Sequence, residues 1–126
     1  MRHPAAGHAA LAALLALAAC AGNQIVPGVA REVSGQRIAP YERHEECMQL
    51  VLGDWLVYRF EAQRPVAFNI HYKEGNAFIV PASKTEVMTD DGAFRPLVPQ
   101  QYCLMWEAGR EGAILDYRIL LNRSSR

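Results

Sequence analysis

At 126 residues, 51% of them apolar, the chain is long enough for one small domain and no more. Lysine and arginine total 13 and aspartate and glutamate 13, a formal net charge of +0. No basic patch stands out, so nucleic acid is not an expected partner.

The N-terminus reads MRHPAAGHAALAALLALAACAG. Arg2 supplies a positive charge, and Ala9 to Ala19 contain only alanine and leucine. The run is too short for a membrane helix, which needs about 20 apolar residues, but suits the apolar core of a signal peptide. It ends in Leu17-Ala18-Ala19-Cys20, which resembles the lipobox of bacterial lipoproteins. The resemblance implies that residues 1–19 are removed. Cys20 then becomes the first residue, carrying a thioether-linked diacylglycerol and a further acyl chain such as palmitate on its amino group. Several acyl chains anchor stably, at about 0.8 kcal/mol per buried methylene. Ala21 stands where aspartate marks retention in the inner membrane, which implies the periplasmic face of the outer membrane. The outer face of the inner membrane, or a soluble periplasmic form cut by ordinary Ala-x-Ala processing, are the alternatives. Loss of Arg2 leaves 12 basic and 13 acidic side chains, a net charge of −1.

Export into an oxidising compartment favours a bridge between Cys47 and Cys103, the pair that remains once Cys20 is lipidated. It would close a loop of about 57 residues, worth roughly 4 kcal/mol on the chain-entropy model. The alternative is two separate buried thiols.

Residues 20–36 carry turn formers and little periodic pattern, and read as a lipidated cysteine followed by a flexible tether. Beyond Arg37 the apolar period becomes two. CMQLVL (47–52) reads as a strand ending at the turn pair Gly53-Asp54. WLVYRF (55–60) follows with Leu56, Tyr58 and Phe60 on one face, and Glu61 to Pro65 reads as a polar turn. Val66, Phe68, Ile70 and Tyr72 then alternate with Ala67, Asn69, His71 and Lys73 as a half-buried strand. Glu74-Gly75-Asn76 predicts a hairpin turn into AFIV (77–80). A short strand at 85–88, a turn at Thr89-Asp90-Asp91-Gly92 and an edge strand or loop at 93–99 come next. QYCLMW (101–106) and AILDYRILL (113–121) are the last two strands. Six to eight short strands with close-set turns predict an all-β domain over 37–123, an antiparallel β-sandwich.

Two stretches resemble GOLD-like β-sandwich domains. The matching positions are Gly53, Tyr58 and Phe60, then Tyr102, Leu104 and Trp106, then Leu115, Tyr117 and Ile119, with Ala108 where the late motif has asparagine. The FNIHY and YCLMW stretches also resemble small exported bacterial proteins. The GOLD resemblance implies an interaction module without catalytic residues, and names no partner.

Candidate chemistry is sparse. Ser34, Ser83, Ser124 and Ser125 lie in no nucleophile-elbow context, and a bridged Cys47–Cys103 leaves no thiol nucleophile in the domain. Zinc takes three or four Cys, His or carboxylate ligands. ERHEEC (42–47) gathers His44 with Glu42, Glu45 and Glu46, and is read in preference as a solvated charged segment leading into a strand. His71 is expected on the solvent side with Asn69 and Lys73, either as surface decoration or as part of a binding face. Trp106 is expected in the core. Trp55, on the opposite strand face, is either an exposed binding aromatic or is covered by the N-terminal segment.

The resulting expectation is a lipid-anchored envelope module without catalysis or cofactor, bound to the membrane through Cys20 and to a protein or ligand through Asn69, His71 and Trp55. The runner-up is a periplasmic metal-binding or small-ligand-binding protein centred on His71.

Overall fold

The computed structural model of the chain describes residues 2–4, 7 and 24–124. The apolar run 9–19 and Cys20 lie outside them. Six strands follow one another: β1 (Arg31–Ile38), β2 (Arg43–Leu50), β3 (Trp55–Glu74), β4 (Ala77–Phe94), β5 (Gln100–Ala108) and β6 (Ala113–Asn122). Every pairing is antiparallel, and the all-β expectation holds.

β3 is the spine. One of its edges pairs with β4 from Leu56 to Glu74. Its other edge is divided, with Trp55–Ala62 taken by β6 and Val66–His71 by β5. β1 extends the β6 side and β2 the β5 side, giving the order β1-β6-β3-β5-β2 with β4 off that path. The ladders to β4, β5 and β6 all lapse across Gln63, Arg64 and Pro65. Proline has no amide hydrogen to offer a ladder, and such irregularities bend and twist a strand. The sheet curls there, and its two halves turn their inner faces toward each other.

Rings from both halves meet in the space between. Trp106 of β5 stacks on Tyr117 of β6 at 4.7 Å between centroids, although these strands share no ladder. Phe68 packs against Tyr58, Phe60 and Trp106 at 5.1, 4.9 and 5.6 Å. Leu56, Ile70, Leu104, Leu115, Ile119 and Leu121 complete a core in which side chains alternate inward as their period-two pattern predicts.

Three local expectations are corrected. Residues 31–36 are strand β1, paired with β6, so any tether ends at Ala30 or earlier. Glu61 to Pro65 is not a turn but the interior of a 20-residue strand. Ala62, buried, extends the inward set of Phe60 to the edge of the break, the in-phase Arg64 is exposed, and the alternation resumes at Val66. Thr89 to Gly92 likewise lies inside β4, opposite Tyr58 to Glu61. Gly92 there answers to close approach rather than to a turn: a Cβ would meet the Tyr58 hydroxyl oxygen at 2.7 Å. The turn at Gly75-Asn76 is as predicted, a two-residue hairpin loop with Gly75 at φ 61°. Beside the Gly53 turn, buried Asp54 accepts two hydrogen bonds from Arg123, each 3.1 Å, and one from the Val51 amide at 2.9 Å.

Removing the central ring tests this arrangement. Phe68→Ala is expected to cost about 3–5 kcal/mol of unfolding free energy, a large share of a small domain's total. Urea denaturation followed by tryptophan fluorescence measures it.

Candidate functional site

On the outer face of the β2-β5-β3 half, the ladders bring three scarce residues into one row. Cys47 of β2 faces Cys103 of β5, and Cys103 in turn faces His71 of β3. The cysteines are bridged, as expected, across 56 residues of sequence.

His71 departs from expectation. It lies on the predicted strand face, yet its side chain is buried, 5% exposed. The edge of its ring meets Phe78 at 5.4 Å between centroids, and Glu45 Oε1 stands 3.9 Å from Nε2. The ladder to β4 shifts register between Ile70 and Tyr72, which pair with Ala82 and Ile79. The irregularity includes Pro81. Beyond it Phe78 sits opposite Lys73, whose ammonium lies 5.2 Å from the Phe78 ring centroid. Alternation assigns a residue to a face; it does not reveal that an aromatic ring and a disulfide will cover that face.

Asn69 Oδ1 lies 2.8 Å from His71 Nδ1. A carbonyl oxygen can only accept, so Nδ1 carries the hydrogen and Nε2 of the neutral ring keeps its lone pair. A ring nitrogen of His71, a Glu45 carboxylate oxygen and Cys103 Sγ all lie within 4.8 Å of one another. Around them runs an open groove of about 750 Å³, which reaches Lys73, Phe78, Val80, Gln101 and Met105.

Trp55 is not part of this site. It begins β3 and pairs with Asn122 of β6, whereas His71 lies sixteen positions further along the strand, against β5. The Trp55 ring is half-buried, with the Arg95 guanidinium 5.3 Å from its centroid. Asn69 and His71 therefore stand together and Trp55 apart.

The acidic cluster at 42–47 also differs from its reading. It is largely strand β2, and alternation divides its members between two faces. Glu45 points outward to His71, whereas Glu46 is buried and paired with Arg31 of β1. His44 Nε2 lies 2.9 Å from the Tyr117 hydroxyl, and its ring stacks at 6.0 Å on Trp106. Arg31, Glu46, His44 and Tyr117 thus join the two halves of the sheet across the side where β1 and β2 are edges. Burial pushes the Tyr117 hydroxyl well above its ordinary range, and the Glu46 charge adds to this. Burial also pushes the His44 imidazole below 6.5, against the opposing pull of Glu46.

Among known proteins, no family model matches the chain, and no curated protein matches it at a significant level.

The His44 shift has a definite sign. The folded state favours the neutral ring, so the stability associated with it is present above 6.5 and declines as pH falls through the lower folded value. Thermal midpoints are expected to fall between about pH 7 and pH 5. His44→Gln, which keeps a polar group beside Tyr117 but does not titrate, is expected to flatten that slope in circular-dichroism melts.

Proposed function

We propose that the chain is a lipid-anchored module of the bacterial cell envelope, attached through Cys20 at the periplasmic face of the outer membrane, which binds a protein or ligand without catalysing a reaction. The observation that carries this reading is the Cys47–Cys103 bridge. Cys47 is exposed on the outer face, open to the thiols that keep cytosolic cysteines reduced, so the bridge accords with an exported protein. The export-type N-terminus, with Leu17-Ala18-Ala19-Cys20 at the end of its apolar run, supports the same compartment independently.

The binding surface in this reading is the groove beside the bridge. Phe78 is 61% exposed there and Val80 48%, with Lys73 and Gln101 providing polar contacts beside them. A large exposed aromatic flanked by polar groups is the composition of an interaction surface. Asn69 and His71 support the groove from below, and Trp55 has no part in it.

Two measurements test the proposal. Cys20→Ala is expected to move the protein from the membrane to the soluble fraction and to abolish palmitate incorporation. Retention in the membrane without label would overturn the anchor. Phe78→Ala is expected to weaken capture of an envelope partner at least about tenfold, as loss of an aromatic anchor does, while Val57→Ala on the other half of β3 leaves it intact. Equal capture by both variants would overturn the surface.

A further inference from the structure

We propose that reducing the Cys47–Cys103 bridge converts the row β2-β5-β3 into a zinc site, with both cysteine sulfurs, His71 Nε2 and a Glu45 carboxylate oxygen as the four ligands. The proposal concerns the reduced chain alone and depends on neither the lipid anchor nor a partner.

The donors suit the metal. Zn²⁺ takes thiolate, imidazole and carboxylate in tetrahedral geometry, with metal–ligand lengths that put neighbouring donors about 3.3–3.8 Å apart. His71 Nε2 and Glu45 Oε1 are already 3.9 Å apart, and Cys103 Sγ shares a 4.8 Å cluster with them. On reduction the two sulfurs part from bonding distance to donor spacing, and Glu45, whose side chain is exposed, needs only a small shift toward Nε2. The cysteines do not depend on their bridge for position. Eight consecutive residue pairs from Arg43↔Glu107 to Leu50↔Gln100 hold β2 and β5 in register around them.

The support for the histidine is what separates this row from a chance cluster. A metal-bound histidine usually donates its second N–H to a carbonyl or carboxylate, which fixes both tautomer and ring direction. Asn69 Oδ1 makes that contact at 2.8 Å. With Nδ1 held by Asn69, the buried ring presents Nε2 toward the Glu45 carboxylate, in the cluster that includes Cys103 Sγ.

The chemistry balances with a dithiol as reductant. One thiolate of the dithiol attacks Cys47 Sγ, the exposed sulfur, and the bridge breaks with Cys103 leaving as thiolate. The second thiol of the reductant then displaces Cys47 and closes a cyclic disulfide, so two electrons have passed to the protein. Zn²⁺ binds both sulfurs as thiolates and their protons go to solvent. Two thiolates and one carboxylate leave the occupied site with one net negative charge, and Arg43 and Lys73 line the same groove. A disulfide oxidant reverses the exchange: one zinc-bound thiolate attacks it, the second closes the Cys47–Cys103 bridge, the oxidant leaves as two thiolates and the metal is released, so the site is gated by thiol redox state.

The test is a titration of purified protein with Zn²⁺ alone, oxidised and after phosphine reduction, followed by calorimetry with Co²⁺ spectra in parallel. The reduced protein is expected to take up one equivalent and to show a sulfur-to-cobalt charge-transfer band, and the oxidised protein neither. His71→Ala is expected to weaken Zn²⁺ binding by at least about 100-fold and Asn69→Ala by about 10–100-fold. The proposal is overturned by no uptake in the reduced protein, by equal uptake in the oxidised one, or by undiminished affinity in His71→Ala. Should the reduced chain unfold, one equivalent of Zn²⁺ must restore its circular-dichroism spectrum, because binding energy at such a site is folding energy. Failure to refold overturns the proposal as well.

Discussion

The interruption of β3 at residues 63–65 is the constraint on which the rest of this molecule depends. A single strand of 20 residues serves two partners on one edge, β6 before the break and β5 after it, while β4 pairs with it on both sides of the break. Without the break the sheet would be an open ribbon with one apolar face in water. With it, the same apolar face closes on itself, and Phe60, Phe68, Trp106 and Tyr117 meet as a ring cluster. The hydrophobic gain therefore follows from a backbone irregularity only a few residues long.

Closure leaves each half with a different polar problem. Between the halves, on the side where β1 and β2 are edges, Arg31, Glu46, His44 and Tyr117 satisfy one another. A partly buried charge pair of this kind contributes little net stability against its desolvation; its effect is to join the two edge strands in one arrangement. On the outside, the bridge between β2 and β5 covers one side of His71 and Phe78 the other. Both devices draw on β2, whose alternate residues face the two sites: Glu46 and His44 inward, Glu45 and Cys47 outward.

Much of this was legible in the chain. The inward sets Leu56/Tyr58/Phe60, Tyr102/Leu104/Trp106 and Leu115/Tyr117/Ile119 follow from alternation, because side-chain direction in a strand depends on parity alone. The bridge partners follow from the arithmetic of cysteines once Cys20 is taken as lipidated, and the sequence left two separate thiols as the alternative. The errors share a different cause. Thr89-Asp90-Asp91-Gly92 carries turn chemistry but lies within β4, where Gly92 leaves room for the Tyr58 ring, Asp90 turns inward to accept from Lys84 and the Tyr58 hydroxyl, and Asp91 is exposed. Residues 31–36 lack an apolar period because β1 is an edge strand that buries little. The segment is a strand because β6 supplies the ladder.

Sequence alone determined the all-β class and the inward faces of β3, β5 and β6, and it singled out Cys47 and Cys103 as the bridge expected on export. All of these rest on local composition, on parity or on the small number of available partners. Tertiary structure decided that His71 is buried rather than exposed, that Glu45 of β2 is its acidic neighbour, and that Trp55 lies at the far end of the strand. Those outcomes depend on ladder register and on the break in β3, which bring together residues far apart in the chain. A linear pattern specifies the direction of each side chain but not what will stand opposite it.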